Sequence, residues 1–347
     1  MTASACDWQP VPAAEAGAWN ARLLRSDASL HQYPYWNEPY RQLRWTPHYL
    51  RHGPAEAPTA FACVVALGVP PLRLGLVHRG PVVLGPDAPP AAALAAGLLA
   101  WAREQRIGFL RFTHTDAALL DAVASAGRAE RCDSFPFHRA DPASNLIVQL
   151  PEDDQELTRS FRKDARREIR RDLAKGYRIR VETAPRALSA VWPMFEAHAQ
   201  ERRFRHFRSL AWWLDLMDHA EPHGCARLYV ATLGGVPVAA DLYVRSRTGV
   251  RSITAWDERA LEGNPCPSTF LAWHAMCDLR RLGIREYTLG PSTGSLFAYK
   301  KRFNPTEVVY PEPVTLVASN ASWALWKATA LPASRAWPRV RSVLKRF

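Results

Sequence analysis

The stretch that decides the fold is RLYVATLGGVPVAADLYV, residues 227–244. Two apolar runs rich in β-branched residues flank Gly234-Gly235, and a Gly-Gly pair in this position is a good signal for a β-hairpin. A further strand-like run follows at residues 250–256. A helical pattern at residues 268–282 then leads into a strand at residues 285–289. The predicted order is therefore hairpin, strand, helix, strand.

The first half of the chain has a similar layout. Strand-like runs at residues 60–65 and 74–83 are followed by a helical pattern at 91–105 and a strand at 108–112. Details repeat as well, namely Ala100-Trp101 against Ala272-Trp273 and Gly108 against Gly283. An internal duplication explains this layout, and a coincidence between two unrelated α/β units is the alternative.

These patterns predict an α/β protein with mixed sheets, built from two domains of one kind. We expect the first domain at residues 1–150, the second at 151–318 with a basic helix at its start, and a basic aromatic tail at 319–347. A chain of 347 residues is long enough for two such domains.

The most charged element lies between the two halves. Asp153 and Glu156 form a plausible capping pair, and Gly176 after Lys175 is a stop signal, so one helix is expected between them. Its apolar stripe is Leu157, Phe161, Ala165, Ile169 and Leu173. Its bases are Arg162, Lys163, Arg166, Arg167, Arg170 and Arg171. An excess of guanidinium groups on one helix suits phosphate contacts, and a solvated helix with internal ion pairs is the alternative.

The overall charge points the same way. The formal net charge is +12 and the pI is about 9.7, which favours an anionic partner such as nucleic acid, a phospholipid surface or a phosphate-bearing substrate. The alternative is a bias in composition. Six cysteines without a CxxC motif, and a beginning without a signal-peptide pattern, indicate a reducing compartment, so we expect a cytoplasmic protein. No apolar run reaches the about 20 residues that a membrane helix needs.

The final stretch, residues 313–347, combines bases with tryptophans. Its bases are Lys327, Arg335, Arg339, Arg341, Lys345 and Arg346, among Trp323, Trp326 and Trp337. This mixture suits an interfacial element near anionic lipid at the inner membrane face, or an extra RNA contact. A basic tail without a special role is the alternative.

Several common chemistries leave no signature. The sequence has no G-x-x-x-x-G-K-[ST] loop, no strand followed by G-x-G-x-x-G and no G-x-S-x-G elbow. His219 and His223 are separated by Pro222, so no metal site is expected. Ser292 and Ser295 lie in a loop with no marked histidine or acid partner.

Five segments together resemble the Fem family of aminoacyl-tRNA-dependent transferases. They are Tyr33-Pro34-Tyr35-Trp36, Arg79-Gly80-Pro81, the arginine-rich helix ending in Lys175-Gly176, residues 283–290, and Tyr299-Lys300-Lys301-Arg302-Phe303-Asn304. The resemblance covers residues 30–315 and implies two tandem GNAT-like domains. It also implies transfer of an aminoacyl group from charged tRNA to an amine, commonly in a peptidoglycan precursor, without a cofactor.

The resemblance assigns roles to residues of this chain. It implies Lys300 beside the transferring carbonyl, Phe303 as a wall of the site and Tyr299 in contact with substrate. It implies Arg202 or Arg203 on the acceptor phosphates and the arginine-rich helix on tRNA. Trp36 belongs to the early aromatic motif. Arg41 stands where the family has a lysine, and Asp116 stands near the position of its Asp-Pro step, both for acceptor recognition.

Three other functions stay open. Lys301-Arg302-Phe303-Asn304-Pro305 also resembles a segment of tRNA-dependent lipid-aminoacylating enzymes, for which the acceptor is a lipid. An acyl-CoA-dependent N-acyltransferase needs a loop whose amides bind pyrophosphate. Here residues 257–267 contain one glycine, two prolines and three acids, which disfavours CoA as the donor. A non-catalytic binding module is the third alternative.

Overall fold

The computed structural model describes residues 8–131, 144–204, 208–291, 296–329 and Pro332. Up to residue 131 the elements are β1 (Trp8–Pro10), α1 (Ala13–Leu23), α2 (Pro34–Asn37), β2 (Thr46–His52), β3 (Ala60–Leu67), β4 (Leu74–His78), β5 (Val82–Val83), α3 (Ala91–Glu104), β6 (Phe109–Thr113), α4 (Ala117–Ala124) and β7 (Ala129–Arg131). The middle of the chain forms β8 (Ser144–Gln149), α5 (Asp154–Ser160), α6 (Lys163–Ala174), β9 (Arg178–Glu182), α7 (Pro185–Glu201), α8 (Leu210–Ala220), β10 (Ala226–Leu233), β11 (Val236–Arg245), β12 (Thr248–Trp256), α9 (Ser268–Arg281), β13 (Glu286–Pro291) and α10 (Phe297–Lys300). The remaining elements are β14 (Thr306–Val309), β15 (Val314–Val317) and α11 (Asn320–Ala328).

The chain folds into two units, each around its own sheet. Unit 1 combines Met1–Ala143 with Val309–Phe347, and unit 2 is Ser144–Val308. The sheet of unit 1 has the order β1-β2-β3-β4-β6-β15-β7, with β5 beside β3. Read from its β9 edge, the sheet of unit 2 has the order β9-β10-β11-β12-β13-β8-β14. The two orders correspond strand by strand, which confirms the predicted repeat and the mixed α/β class.

The central pair of strands in each sheet is parallel, namely β4 with β6 and β12 with β13. Parallel neighbours need a crossover connection, and α3 and α9 provide it. In unit 1, Leu94 and Leu98 of α3 pack in a buried cluster with Val64, Leu110 and Phe112 of the sheet. In unit 2, α9 contributes in the same way to a cluster that includes Tyr229, Tyr243 and Tyr287.

The predicted domain boundaries differ from the observed ones. The predicted boundaries place residues 144–149 in the first domain and residues 314–317 in the second. Instead β8 pairs with β13 in unit 2, and β15 pairs with β6 in unit 1. The strand expected at residues 74–83 is also interrupted, since β4 ends at His78 and β5 pairs with β3.

The described part of the tail belongs to the core of unit 1. Trp323 and Trp326 of α11 are buried and lie 5.0 and 5.3 Å from the ring of Phe109. Glu130 accepts hydrogen bonds from Trp323 Nε1 and from Lys327 Nζ. The expectation of an interfacial element is wrong for Trp323 and Trp326, because their apolar surface is already covered, whereas Lys327 stays exposed and pairs with Glu130. The rest of the predicted tail, Arg335, Trp337, Arg339, Arg341, Lys345 and Arg346, lies outside the described residues.

No helix in the described ranges combines the length and apolar character that crossing a bilayer requires.

Candidate active site

The two central strands of unit 2 part before they end. β12 and β13 pair in parallel only at residues 248–250 and 286–288, although β12 continues to Trp256 and β13 to Pro291. Beyond the last pair, each strand carries one extra residue relative to its outer neighbour, Ser252 in β12 and Leu289 in β13. Because a bulge bends its strand and increases the local twist, the two bulges turn the strands apart. A notch opens between them.

Lys300 is attached to the strand on one side of this notch. Its ammonium donates a hydrogen bond to the carbonyl oxygen of Pro291, with 2.9 Å between Nζ and O. Gly290 has a φ of +82°, and a Cβ added there would lie 3.5 Å from Lys300 Nζ. A Cβ would therefore only touch the ammonium, and it is the left-handed backbone that favours glycine at this position. A fixed cation beside the parted strands can stabilise a negative oxygen that develops on a bound acyl group.

Two aromatic residues hold the turn that carries Lys300. Tyr299 donates from its hydroxyl to the carbonyl of Ser268 at 3.1 Å, which ties the turn to the start of α9. Phe303 is fully buried and meets Phe161 edge to face at 5.2 Å. The prediction that Phe303 walls the site is therefore wrong, because a side chain without solvent exposure has no surface left for a ligand. It stabilises the turn by packing.

The predicted single helix from Asp153 to Gly176 is two helices. Asp153 caps α5 as expected, accepting from Gln155 N and Glu156 N, and Gly176 has the expected positive φ of +82°. The chain is extended at Phe161 and Arg162 between the helices. This break sends Phe161 into the core and leaves Leu173, expected in the apolar stripe, 47% exposed.

Arg302 joins the Lys300 turn to α6. Its guanidinium forms ion pairs with Asp164 at 3.2 Å and Glu168 at 2.8 Å, and its carbonyl accepts from Arg162 N at 2.9 Å. The acids that could have neutralised neighbouring bases of α6 are thus engaged by the Lys300 turn instead. Helix and turn therefore form one connected element.

The bases of α6 do not all have the same surroundings. Arg171 pairs with the fully buried Asp172 at 2.8 Å, which makes it structural. Burial raises the pKa of Asp172, and Arg171 opposes that rise. Within the described ranges no ion pair involves the bases of the opposite face, which are Lys163, Arg166, Arg167 and Arg170. This face of α6 keeps its positive charge.

A cavity of about 510 Å³ lies against this face. It is lined by Asp154, Gln155, Thr158, Arg159, Lys163, Arg166, Arg170 and Trp273. Its one acid, Asp154, is neutralised by Arg280 and Arg281 at 2.9 and 2.5 Å. Burial favours the neutral acid, but hydrogen bonds from Cys277, Arg280 and Arg281 outweigh it and hold the pKa of Asp154 below its ordinary value. The cavity is therefore cationic.

The loop at residues 257–267 uses its backbone amides internally. Asp257 Oδ1 accepts from the amides of Arg259 and Ala260 at 2.9 and 3.1 Å. The amides of Leu261, Glu262 and Asn264 donate to carbonyls of the same loop. Two prolines supply no amide at all. The arrangement differs from a phosphate-binding loop, whose amides point outward to the ligand.

Arg202 and Arg203 lie at the carboxyl end of α7. Arg202 pairs with Glu258 at 3.1 Å and lies 5.2 Å over the ring of Trp256, the last residue of β12. Arg203 is exposed and has a φ of +55°. The structure thus brings Arg202 to the end of a strand that forms the notch.

The three site residues predicted in the first half lie in unit 1. Trp36 is 8% exposed and meets the ring of His31 edge to face, so it is mainly a packing residue. Arg41 is half exposed and pairs with Glu38 at 2.7 Å. Asp116 caps α4 by accepting from Ala118 N at 2.8 Å, which gives its carboxylate a structural task.

Two residues of this site escaped the sequence analysis. Arg302 was one base in a run of three, and only the fold shows that it binds Asp164 and Glu168. Trp273 was noted as a repeat of Trp101, but its place in the cavity depends on α5 and α6 folding back over α9. The polar residues near Trp273 in the helix sequence were the one available sign that this tryptophan is not fully buried.

Comparison with known proteins supports the reading of unit 2. Residues 159–301 match the acetyltransferase (GNAT) domain family. No match to a curated protein sequence was found.

The fold recurs among solved structures. The crystal structure of FemX superimposes with a TM-score of 0.77 at 14% identity, covering 92% of this chain and 99% of that one. The C-terminal domain of a putative lysylphosphatidylglycerol synthetase from Agrobacterium fabrum gives a TM-score of 0.56 at 17% identity, covering 92% and 96%. A conserved protein of unknown function from Bacteroides thetaiotaomicron gives 0.62 at 10% identity, covering 90% and 99%.

These findings confirm the predicted fold and the resemblance to the Fem family at the level of architecture. Residues 159–301 match the GNAT acetyltransferase domain family, and the chain as a whole shares the fold of the FemX crystal structure.

Proposed function

We propose that this chain transfers an aminoacyl group from a charged tRNA to an amine of a cell-wall precursor or a related phosphate-bearing acceptor. The observation that carries the proposal is the attachment of the Lys300 turn to α6 through Arg302. This attachment fixes the ammonium of Lys300, the candidate oxyanion donor, relative to the basic face of α6. Within the described ranges, the cations of that face form no ion pair with an acid. A donor with a reactive ester at one end and many phosphates behind it fits both features.

The chemistry needs no cofactor. The amine of the acceptor attacks the ester carbonyl, and the carbonyl oxygen becomes negative. The bond between the carbonyl carbon and the ribose oxygen then breaks, an amide remains, and the proton lost by the amine passes to the ribose oxygen, which leaves as a hydroxyl. Lys300 is proposed to stabilise the negative oxygen. Its ammonium donates to Pro291 O at 2.9 Å, and this bond fixes the ammonium at the end of β13. Tyr299 and Phe303 are proposed to act by holding the turn.

The donor is the point at which acyl-CoA competes with tRNA. A CoA-dependent enzyme of this fold would bind the pyrophosphate on the loop before α9. The amides of Arg259 and Ala260 are engaged by the carboxylate of Asp257, which lies in the same loop. Carboxylates repel phosphate, and engaged amides cannot bind it. These contacts support tRNA as the donor.

We assign acceptor recognition to exposed polar groups of both units. In unit 1, Arg41 and Asp116 are the candidates, with Trp36 supporting them through packing. In unit 2, Arg202 is the better candidate for an acceptor phosphate than Arg203, because Glu258 and Trp256 fix its position. A planar guanidinium binds phosphate through two parallel hydrogen bonds. Since charged tRNA is made in the cytoplasm, we expect the enzyme there, with a peripheral contact to the inner membrane face when its acceptor is lipid-linked.

A lipid is the second candidate acceptor. Asn304-Pro305 resembles the corresponding segment of lipid-aminoacylating enzymes, and the domain from Agrobacterium fabrum shares the fold. Asn304 is in the left-handed conformation with a φ of +49°, directly after the Lys300 turn. The burial of Trp323 and Trp326 removes part of the case for a lipid-binding tail.

One experiment tests donor and acceptor together. The protein is incubated with a pool of tRNAs charged with labelled amino acids, and separately with labelled acetyl-CoA. Each donor is offered extracted cell-wall precursors in one arm and anionic phospholipid vesicles in another. We expect label from charged tRNA in the precursor arm. Label in the vesicle arm alone selects the lipid acceptor, and label from acetyl-CoA alone refutes the proposal.

The same assay tests the non-catalytic alternative. A binding module transfers no label from either donor, and Lys300→Ala leaves its tRNA binding intact. An enzyme loses transfer in Lys300→Ala, and this loss separates the two cases.

A further inference from the structure

Trp273 is held in the wall of the cationic cavity by contacts on two sides. Its Nε1 donates to Thr158 Oγ1 at 2.9 Å, and Thr158 in turn donates to the carbonyl of Asp154 at 2.7 Å. Its ring stacks on Phe270 with 5.7 Å between centroids and 25° between planes. The ring is partly exposed and lines the cavity. It is therefore a fixed aromatic surface, and no rotamer change is needed before it binds.

Cations surround this ring on the side of α5 and α6. Lys163, Arg166 and Arg170 follow one another at helical spacing, so they share one face of α6. Arg159 of α5 completes the group, held by Gln155 Oε1 at 3.0 Å, and its carbonyl accepts from Arg166 Nη1 at 3.2 Å. Both helices are thus tied together beneath the ring.

We infer that this cavity binds the single-stranded end of a nucleic acid, with one base stacked on Trp273 and the flanking phosphates on Arg159, Lys163, Arg166 and Arg170. Every base has an apolar face that stacks on an aromatic ring, and this contact does not depend on sequence. Guanidinium groups bind phosphate oxygens in a planar fork. A duplex is excluded because its bases are already stacked on one another.

The size and position of the cavity agree with this ligand. Its volume of about 510 Å³ is within the range of small-molecule sites, which suits one nucleotide and its phosphates. Lys163 follows Arg162, whose amide bonds to Arg302 two residues after Lys300. The inference rests on the proposed function in one respect, namely that the nucleic acid is the end of the tRNA that carries the aminoacyl group.

The test measures binding without transfer. The probe is a single-stranded RNA pentamer, titrated by calorimetry against the full chain, with an abasic pentamer of equal charge as its partner. Trp273→Ala should weaken binding of the pentamer roughly 10-fold and leave the abasic pentamer unchanged. Trp273→Phe, which keeps a ring, should stay within about 3-fold of the original chain. Trp273→Leu keeps apolar bulk against Phe270 and separates loss of stacking from loss of folding.

The cations have their own signature. Arg166→Ala and Arg170→Ala should weaken both pentamers, and each should lower the slope of log K against log salt by about 0.7. Arg180→Ala is the matched control, because Arg180 is an exposed arginine of β9 that does not line the cavity. It should leave both affinities and the slope unchanged.

The outcomes separate this inference from the proposed function. If Trp273→Ala weakens pentamer binding but no charged tRNA supports aminoacyl transfer, the nucleic-acid site is supported and the proposed function is refuted. If aminoacyl transfer is observed but Trp273→Ala leaves the pentamer affinity unchanged, the nucleic-acid site is refuted and the proposed function is supported. Tighter binding of free CoA than of the pentamer, lost in Trp273→Ala, also overturns the inference.

Discussion

Units 1 and 2 have the same sheet order but differ at the central parallel pair. In unit 1, β4 and β6 pair along their whole length, residues 74–78 with 109–113, and Arg79 N continues the ladder to Thr113 O at 2.7 Å. In unit 2, β12 and β13 part after three pairs. The parting in unit 2 coincides with one extra residue in each of the two strands.

Unit 1 has a different gap, between β3 and β4, and a side chain fills it from within. Gln32 is fully buried, donates to His78 O at 2.6 Å and accepts from Cys63 N at 2.8 Å. A Cβ at Gly80 would lie 2.7 Å from the Gln32 amide, so the backbone has closed tightly around this side chain. The crossover helices differ in the same sense, since Trp101 is 3% exposed whereas Trp273 lines a cavity. The same sheet order is therefore compatible with a closed central pair in unit 1 and a parted one in unit 2.

The largest expected effect concerns Lys300, which has a place only in the open unit. Lys300→Met should lower the single-turnover rate of aminoacyl transfer by about 100- to 1,000-fold, because a preorganised donor to the oxyanion is lost. Lys301→Met, one residue away and equal in charge lost, should change the rate less than about 3-fold. Equal losses in both variants would contradict a special role for Lys300.

A substitution at Gly290 attacks the notch itself. Gly290→Ala should lower the transfer rate about 10-fold, because a left-handed residue with a Cβ costs about 1 to 2 kcal/mol and shifts the strand end beside Lys300. Gly53→Ala in unit 1 is the matched control, since Gly53 has a φ of +84° against +82° for Gly290. It should lower stability to a similar degree in urea unfolding and leave the rate unchanged. A rate that falls equally in both variants would reduce the effect to lost stability.

Acid should weaken unit 1 through His48. Burial, helped by Arg73 and Arg41, lowers the pKa of His48 from 6.5 to about 4. Between these values the unfolded chain binds a proton that the folded chain does not, so the free energy of unfolding falls as the pH falls. In His48→Gln the free energy of unfolding should fall by about 1 to 2 kcal/mol less over this pH range than in the original chain. This value allows for the partial exposure of the His48 ring, which weakens the effect. Urea unfolding across this pH range measures it, and an unchanged pH dependence in the variant would refute the assignment.

The smallest effects concern helix caps with the same role in each unit. Asp116→Ala in unit 1 and Asp153→Ala in unit 2 should each cost about 1 kcal/mol in free energy of unfolding, because each carboxylate accepts amides at the start of a helix. Asparagine caps nearly as well, so Asp116→Asn and Asp153→Asn should cost much less. If Asp116→Asn lowers the free energy of unfolding as much as Asp116→Ala does, the negative charge of Asp116 has a structural role beyond capping α4.

Local patterns predicted much of this fold. Gly234-Gly235 placed the β10–β11 hairpin, Asp153 and Gly176 placed two helix ends, and the repeated layout placed both sheets. The strand exchange could not be predicted, because β8 and β15 are short apolar runs whose partners are distant in sequence. The break at Phe161 could not be predicted either. An apolar residue at this spacing fits the apolar stripe of one long helix, and it fits equally well an extended link between two helices whose side chain is buried.

The site was predicted in part. The sequence pointed to Lys300 and to the basic face of α6, and the fold connects the two chiefly through Arg302, by its side chain and its carbonyl. The spacing within α6 suggested that its acids pair with bases of the same helix. In the folded chain Asp164 and Glu168 pair with Arg302 instead, because the Lys300 turn lies beside α6. Phe303 was misjudged because a motif does not reveal which of its aromatic residues faces the core.

The exchange of strands between the two halves has a consequence for how the chain is made. A ribosome completes residues 144–308 before it reaches β15, the strand that lies between β6 and β7 of unit 1. The middle of the protein can therefore mature first, while the beginning waits with an unsatisfied strand edge for residues near the end. Because β15 closes the first sheet, a chain interrupted between residues 308 and 314 would expose the edge of β6 and leave unit 2 whole.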